Sequence, residues 1–301
     1  MANERYFHSV AEGIEKMEPL DDASILYEGV LKMAQKLNLL TDTSGHVSAW
    51  RPEDGSMWIS PRQIDRSTMT SDDAVLAKVR GSDVLFAGTQ EPSIDAGILG
   101  TLYAHPRTTM PAFLHFHGGW GRMKCKTDFS YPCGTWEEYC EIYAAADAAN
   151  LFSNWNSERS VELVNHGFLL GINNYEQLYE LKKTWRIIHS EFAAHLEEVS
   201  AITGKAIVFD QKKFRPVWGG VQIVGLIYDD PSAATIYLTA EARGKGIGKV
   251  VVGQLIAREY TIRTLELCGV AGYYKKAGFT AYEGEDGFMR LAPPKLKADE
   301  T

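Results

Sequence analysis

Several absences narrow this chain before any motif is read. Its four cysteines, Cys125, Cys133, Cys140 and Cys268, form no close Cys-x-x-Cys pair. They read as reduced thiols in a cytoplasmic protein. No window holds ~18 consecutive apolar residues, which excludes a transmembrane helix and leaves no membrane partner. The start, MANERYFHSVAEGIEK, lacks the apolar core of a secretory signal. No dense basic patch with interleaved aromatics occurs, so nucleic acid is not an expected partner. No long low-complexity tract occurs either, and with 23% charged residues wholesale disorder is excluded.

What is present suits a globular protein of about two domains. The chain has 301 residues, 45% of them hydrophobic, enough to bury a substantial core. The net charge of −8 is unevenly spread: residues 201–301 carry net +3 and the remainder net −11. A slightly basic C-terminal third suits a small anionic ligand.

Hydrophobic periodicity organises the chain. Residues 21–40 predict a helix capped by Asp21 or Asp22, with Ile25, Leu26, Val30, Met33 and Leu37 on one buried face. Residues 44–50 and 56–61 predict a hairpin around the Arg51–Gly55 turn. Strands are expected at 72–79, at 112–117 and as a pair within 160–173, and helices from Ile94 to Tyr103, over 135–152 and over 174–199. Further on, strands are expected at 206–211, 221–230, 233–241, 261–269 and 287–292. Residues 243–260 read as a Gly-rich turn entering a helix, and 270–279 as a short helix and turn. The texture changes near residue 200, where the domain boundary is placed. Residues 118–134, rich in Gly, Pro and aromatics, read as a loop covering the site described next.

That site begins with MPAFLHFHGGW (110–120). In a strand, residues i and i+2 face the same way, so His115 and His117 aim both imidazoles at one point, as a divalent metal requires. His166, in VNHGFLLG at the end of another apolar strand, supplies a third. Three neutral imidazoles and an open position describe a catalytic metal site. Hydrogen-bonded core histidines would give the same pattern.

Five segments in order, TSGHVS, WISPRQIDRSTMTSDDAVL, EPSIDAGILGTLYAHP, FLHFHG and LVNHGFLLG, resemble the class II aldolase/adducin family over residues ~8–195. The resemblance implies an α/β/α sandwich around a mostly antiparallel sheet. It also implies homotetramers with active sites between subunits, and a divalent ion, most often zinc, held by His115, His117 and His166. The implied chemistry is aldolase-type cleavage or formation of a C–C bond through an enediolate, on a small hydroxy-carbonyl or sugar-derived substrate. Asp95 stands where the family carries its proton-moving glutamate. Gly45-His46, Arg62-Gln63 and Ser93-Ile94 stand where relatives grip a substrate phosphate, with arginine replacing threonine at 62. Arg62 can hold a phosphate or a carboxylate. Dehydratase, epimerase and decarboxylase chemistry also occurs on this fold, and adducin is a non-catalytic branch.

The second Gly-rich signal, Arg243-Gly244-Lys245-Gly246-Ile247-Gly248, with YYKKAGF thirty residues on, resembles the GNAT acetyltransferases. A helix start of this kind binds phosphate through backbone N–H groups. The resemblance implies that Arg243, Gly244, Gly246 and Gly248 cradle acetyl-CoA and that Tyr274 protonates the departing thiolate. The segment is shorter than most such domains, and Leu267 stands where asparagine is usual. The expected organisation is therefore a class II aldolase-like metal-dependent domain over 1–199 and a small, truncated GNAT-like α+β domain over 200–301. The competing functions are a metal-dependent lyase, an N-acetyltransferase and a scaffold.

Overall fold

The computed structural model describes residues 7–11, 21–106, 108–117, 119–123, 125–148, 160–204, 208–264, 271–283 and 289–294. The chain divides into two compact units. One comprises Met1–Gly119, Met123–Lys183 and Gly220–Gln222, and the other Trp120–Arg122, Thr184–Gly219 and Ile223–Thr301. The elements of the first two-thirds are β1 (His8–Ala11), α1 (Asp22–Lys36), β2 (His46–Arg51), β3 (Ser56–Ile59), β4 (Val75–Arg80), β5 (Asp83–Phe86) and α2 (Ala96–Ala104). They continue with β6 (Ala112–Phe116), β7 (Trp120–Arg122), β8 (Cys125–Lys126), α3 (Trp136–Ala148), β9 (Ser160–Leu163), β10 (Gly167–Ile172) and α4 (Tyr175–Thr203). Among the described residues no helix is long and apolar enough to cross a membrane.

The first unit is built on a nine-stranded sheet in the order β1-β5-β4-β3-β2-β6-β10-β9-β8. This sheet is mixed, which corrects the expectation of a mostly antiparallel one. The short strands β1 and β8 join β5 and β9 in parallel at the two edges, while the strands between them run antiparallel. Helices cover both faces. Helix α1 starts because Asp21 accepts a hydrogen bond from Ser24 N at 2.6 Å, a cap worth about 1 kcal/mol. Its buried stripe of Leu26, Tyr27, Val30, Leu31 and Met33 packs on β2, β3 and β6. On the other face α2 and α3 close an apolar core that includes Met57, Ile59, Val75, Phe86, Leu99, Phe113, Ile142 and Leu169. Alternation along β2 shows the two sides. Ser48 reaches the Tyr103 hydroxyl of α2 at 2.9 Å, whereas Arg51 turns to Asp21 at the start of α1.

The second unit contains β11 (Phe214–Gly219), β12 (Gln222–Tyr228), β13 (Thr235–Leu238), α5 (Ile247–Ala257), β14 (Ile262–Thr264), α6 (Ala271–Lys276), β15 (Thr280–Glu283) and β16 (Met289–Ala292). Two sheets run β13-β12-β11-β7 and β14-β16-β15. A bridge, Ala234 to Ile262, links their neighbouring ends. The core gathers Trp120, Val217, Ile227, Val251, Leu255, Ile262, Tyr274 and Leu291.

Several elements differ from the periodicity reading. Residues 208–210 are irregular and Gln211–Lys213 form a 3-10 turn, so no strand spans 208–211; the strand lies at β11 instead. Pro216 inside β11 argues against a strand when read from sequence. Residues 71–73 are likewise a 3-10 turn ahead of β4. The supposed loop 118–134 contributes β7 and β8. Leu267 and the last residues of the chain lie outside the described residues.

Candidate metal centre

The middle of the first sheet sets the site. β6 lies between β2 and β10, with His115 opposite His46 on one side and opposite Leu169 on the other. His115 shares its face with Phe113, part of the core under α2 and α3, and His117 extends that face beyond the strand. His166 comes from the β9–β10 turn, closed by His166 N donating to Leu163 O at 3.0 Å. Asn165 takes φ 57° and Gly167 φ 127° to make that turn. A Cβ on Gly167 would stand 2.3 Å from Phe116 O, so the turn can approach β6 this closely only with glycine there. Gly45 plays the same part ahead of β2: its φ is 76° and a Cβ would meet His115 O at 2.6 Å.

The three imidazoles converge. Ring centroids of His115–His117, His115–His166 and His117–His166 stand 4.8, 4.9 and 4.8 Å apart, a nearly equilateral triangle of mutually tilted rings. Their ligating nitrogens all lie within 4.8 Å of one another. His115 is 2% exposed, and its Nδ1 is engaged with Phe168 O at 3.1 Å. Its Nε2 is buried with no hydrogen-bond partner among the described residues. A buried polar atom of this kind is costly unless a ligand satisfies it.

His166 is oriented by a group that the sequence reading missed. Glu138, buried at the start of α3, places Oε1 2.9 Å from His166 Nδ1. This is the carboxylate–imidazole pairing that orients metal-binding histidines. The other oxygen of Glu138 accepts from Gly134 N at 2.8 Å, and Thr135 Oγ1 accepts from Glu138 N at 3.2 Å, so the same carboxylate belongs to the helix cap. Cys133 Sγ lies 3.1 Å from His166 Nε2. The sequence signal for Glu138 was the cap motif Thr135-x-x-Glu138; Cys133 gave none.

Electrostatics separates the three rings. His115 is held well below the ordinary imidazole range, by burial first and then by the charge of His46. His117 is pushed down to about 4, by burial and then His166. Burial alone would lower His166 too, but its contacts with Cys133 and Glu138 outweigh that and raise it to about 10. Two rings are thus neutral and ready to ligate at neutral pH, and the third must release a proton.

Beside this triangle stands an acid. Asp95, 8% exposed, stands at the N-terminal end of α2, makes no side-chain capping bond, and sets Oδ2 3.2 Å from His46 Nδ1. Ser93 Oγ lies 3.4 Å from the same nitrogen. The His46 ring in turn lies 5.0 Å from that of His115, tilted by 38°. Burial would raise the Asp95 pKa, but the His46 hydrogen bond and the charges of His46, His115 and His166 more than offset it and hold the carboxyl below its usual range. Asp95 Oδ1 and His46 Nε2 are buried without partners among the described residues. Gly45, His46, Ser93, Asp95 and the three histidines therefore form one cluster. Arg62 is tied to the segment ahead of α2 that carries Ser93: its N donates to Glu91 O, and Pro61 bridges Pro92. Its guanidinium is ion-paired with Glu91 Oε2 at 2.6 Å.

The Gly-rich segment of the second unit sits at the start of α5. Gly244 and Gly246 take φ 78° and 81°, Gly246 is the N-cap with no side-chain capping bond, and nothing lies within 4 Å of a Cβ built on either. Arg243 Nε donates to Leu238 O at 3.1 Å, and Gly248 lies in the first turn of α5. Tyr274 is buried in the core, with its ring 6.2 Å from Phe279, and burial raises its pKa. The neighbouring Tyr273 hydroxyl, by contrast, faces Gly248, 3.6 Å from where a Cβ would be.

Residues 26–181 match the Class II Aldolase and Adducin N-terminal domain family, and the chain belongs to that family. It is similar to 5-deoxy-D-ribulose 1-phosphate aldolase of Bacillus thuringiensis serovar kurstaki, 24% identical over 155 residues that cover 47% of this chain and 70% of the relative. Among solved structures, an L-fuculose 1-phosphate aldolase aligns at 20% identity and TM-score 0.42, covering 64% of this chain and 92% of its own. An aldolase II superfamily protein from Pseudomonas syringae aligns at 15% identity and TM-score 0.41, covering 66% and 83%. The three-imidazole cluster, with its buried unpartnered nitrogen and supporting carboxylate, is compatible with the divalent metal of this family.

Proposed function

We propose that this protein is a metal-dependent lyase that makes or breaks a C–C bond next to a carbonyl in a small hydroxy-carbonyl compound. The observation that carries the reading is the convergence of His115, His117 and His166 around the unpartnered Nε2 of His115. A divalent ion held by those nitrogens, zinc by the chemistry of an all-imidazole set, supplies Lewis-acid stabilisation of negative charge at the substrate carbonyl oxygen. The residues do the rest. Glu138 orients His166, and Phe168 O fixes His115 so that Nε2 faces the centre. Asp95, ionised and buried, takes a proton from the substrate hydroxyl or alpha carbon and returns it, with His46 holding its carboxylate in place. Ser93, Gly45 and His46 line the approach. Arg62 meets an anionic substrate group once it exchanges Glu91 for it. A homotetramer, checked by light scattering, is part of the same reading. The test is metal content. Purified protein should carry about one zinc, manganese or cobalt ion per chain, and His115→Ala should lose it; metal-free wild-type protein refutes the reading.

A second reading concerns the other unit. The positive φ at Gly244 and Gly246, and the absence of a side-chain cap on α5, favour the binding of a pyrophosphate by backbone N–H groups at that helix start. On this reading Arg243, Gly244, Gly246 and Gly248 hold acetyl-CoA and an acetyl group passes to a small acceptor; Tyr274, expected from the sequence to be the acid, is buried in the core and does not face the Gly-rich turn as Tyr273 does. Calorimetry with acetyl-CoA tests it: wild type gives heat and Gly246→Glu does not. No heat with wild type, or equal heat with both, removes it.

A further inference from the structure

His166 can offer a metal only one nitrogen. Its Nδ1 is taken by Glu138 at 2.9 Å, so Nε2 is the ligating atom. That same Nε2 is where Cys133 Sγ sits, 3.1 Å away. Cys133, Glu138 and His166 form a second group of donor atoms within 4.8 Å of one another, overlapping the three-histidine group at His166. An ion bound about 2.0 Å from Nε2 occupies the space in front of the sulfur, so the sulfur must either leave or bind.

The backbone gives it little room to leave. Pro132 precedes Cys133, and Pro132 O accepts from both Thr135 N at 3.3 Å and Thr135 Oγ1 at 2.9 Å. Gly134 N is held by Glu138 at 2.8 Å. Cys133 is therefore pinned inside the cap of α3, with its side-chain torsion as its main freedom. Nitrogen and sulfur bound to one tetrahedral ion stand roughly 3.5 Å apart, from metal–N of about 2.0 Å and metal–S of about 2.3 Å. The observed 3.1 Å to His166 Nε2 is close to that spacing, and rotation about the Cys133 side chain is what brings the sulfur toward the ion shared with His115 and His117, whose group it now meets only at His166. On the far side of the site, His115 Nε2 is buried and unpartnered, so an ion drawn toward it is independently called for.

We infer that Cys133 is a fourth protein ligand of the metal, bound as a thiolate in the resting site beside His115, His117 and His166. The inference rests on the metal-centre reading above. On binding, the S–H bond breaks, a metal–sulfur bond forms and the proton passes to solvent. The resting site is then closed by protein ligands, and the substrate oxygens gain the metal by displacing the sulfur. The thiolate also lowers the charge of the centre, so a Cys133→Ser protein holds a more strongly Lewis-acidic ion.

The test is the absorption spectrum of the full-length protein loaded with cobalt(II). Thiolate-to-cobalt charge transfer gives a near-ultraviolet band that imidazole ligands do not give. The wild-type protein is expected to show this band, and Cys133→Ser to lose it while keeping its cobalt; Cys140→Ser, on α3, is expected to keep it. Wild-type protein that binds cobalt without the band, or a band that persists in Cys133→Ser, overturns the inference and leaves the three-histidine site standing. Wild-type protein that binds no cobalt removes both. Even if Cys133→Ser fails to fold, wild-type protein that binds cobalt without the band overturns the inference.

Discussion

Replacing Glu138 by glutamine isolates the support of one metal ligand from the ligand itself. Glu138 Oε1 lies 2.9 Å from His166 Nδ1, and Oε2 takes Gly134 N at 2.8 Å. Glutamine is nearly the same shape and keeps an acceptor for the Gly134 amide, so the α3 cap survives. The buried negative charge is lost, and with it the basicity that Glu138 lends to His166. Loss of such a partner costs roughly 10–100-fold in metal affinity, or about 1.4–2.7 kcal/mol. The upper part of that range is expected because Glu138 is only 5% exposed and solvent does not replace it. Competition against a chromophoric zinc chelator near neutral pH reads the affinity, and urea unfolding of metal-free protein reads the fold. Glu138→Gln should move the first far more than the second. Glu138→Ala, which also strips the cap, should move both, with about 1 kcal/mol of stability lost to the cap. Zinc affinity of Glu138→Gln equal to wild type would refute the role assigned to Glu138.

Other perturbations separate the remaining parts. Asp95→Asn should lower turnover on a cleavable hydroxy-carbonyl substrate by about 10²–10⁴-fold with metal content unchanged; retained turnover moves the proton transfer to another group. Gly45→Ala forces a side chain into φ 76° and against His115 O, and should cost about 2 kcal/mol or more in urea unfolding; a neutral result contradicts the close β2–β6 approach. Metal-free protein should be most stable near pH 6.5. His166, raised from 6.5 to about 10, contributes stability that is complete below 6.5 and lost as pH climbs through about 10. His117, lowered from 6.5 to about 4, makes stability fall as pH drops from 6.5 through about 4. Urea midpoints of chelator-treated protein across that range check it, and a monotonic profile contradicts it.

How much was legible follows from where the information lies. Helix α1 and the β2–β3 hairpin were readable because cap, period and turn residues sit within a few positions of one another. His115 and His117 were readable because strand geometry alone aims them together, and His166 because it ends an apolar strand in a segment that resembles the family's. The short edge strand β1 was not, since its pairing partner β5 lies about seventy residues away. β7 is three residues in a Gly-rich segment and becomes a strand only by joining β11. Glu138 and Cys133 were missed for the same reason. Each acts on His166 only when the start of α3 is folded against the β9–β10 turn, and neither spacing nor residue type marks that approach. Arg62, a residue type that suggests an anion site, is ion-paired with Glu91, a neighbour that only folding brings to it.

The most direct measurement is anomalous diffraction at the metal absorption edge on crystals of the full-length protein grown without chelator. The account predicts one strong peak per chain at bonding distance from the imidazoles of His115, His117 and His166. No peak at that position in metal-supplemented crystals, or an ion held by other residues, would contradict it.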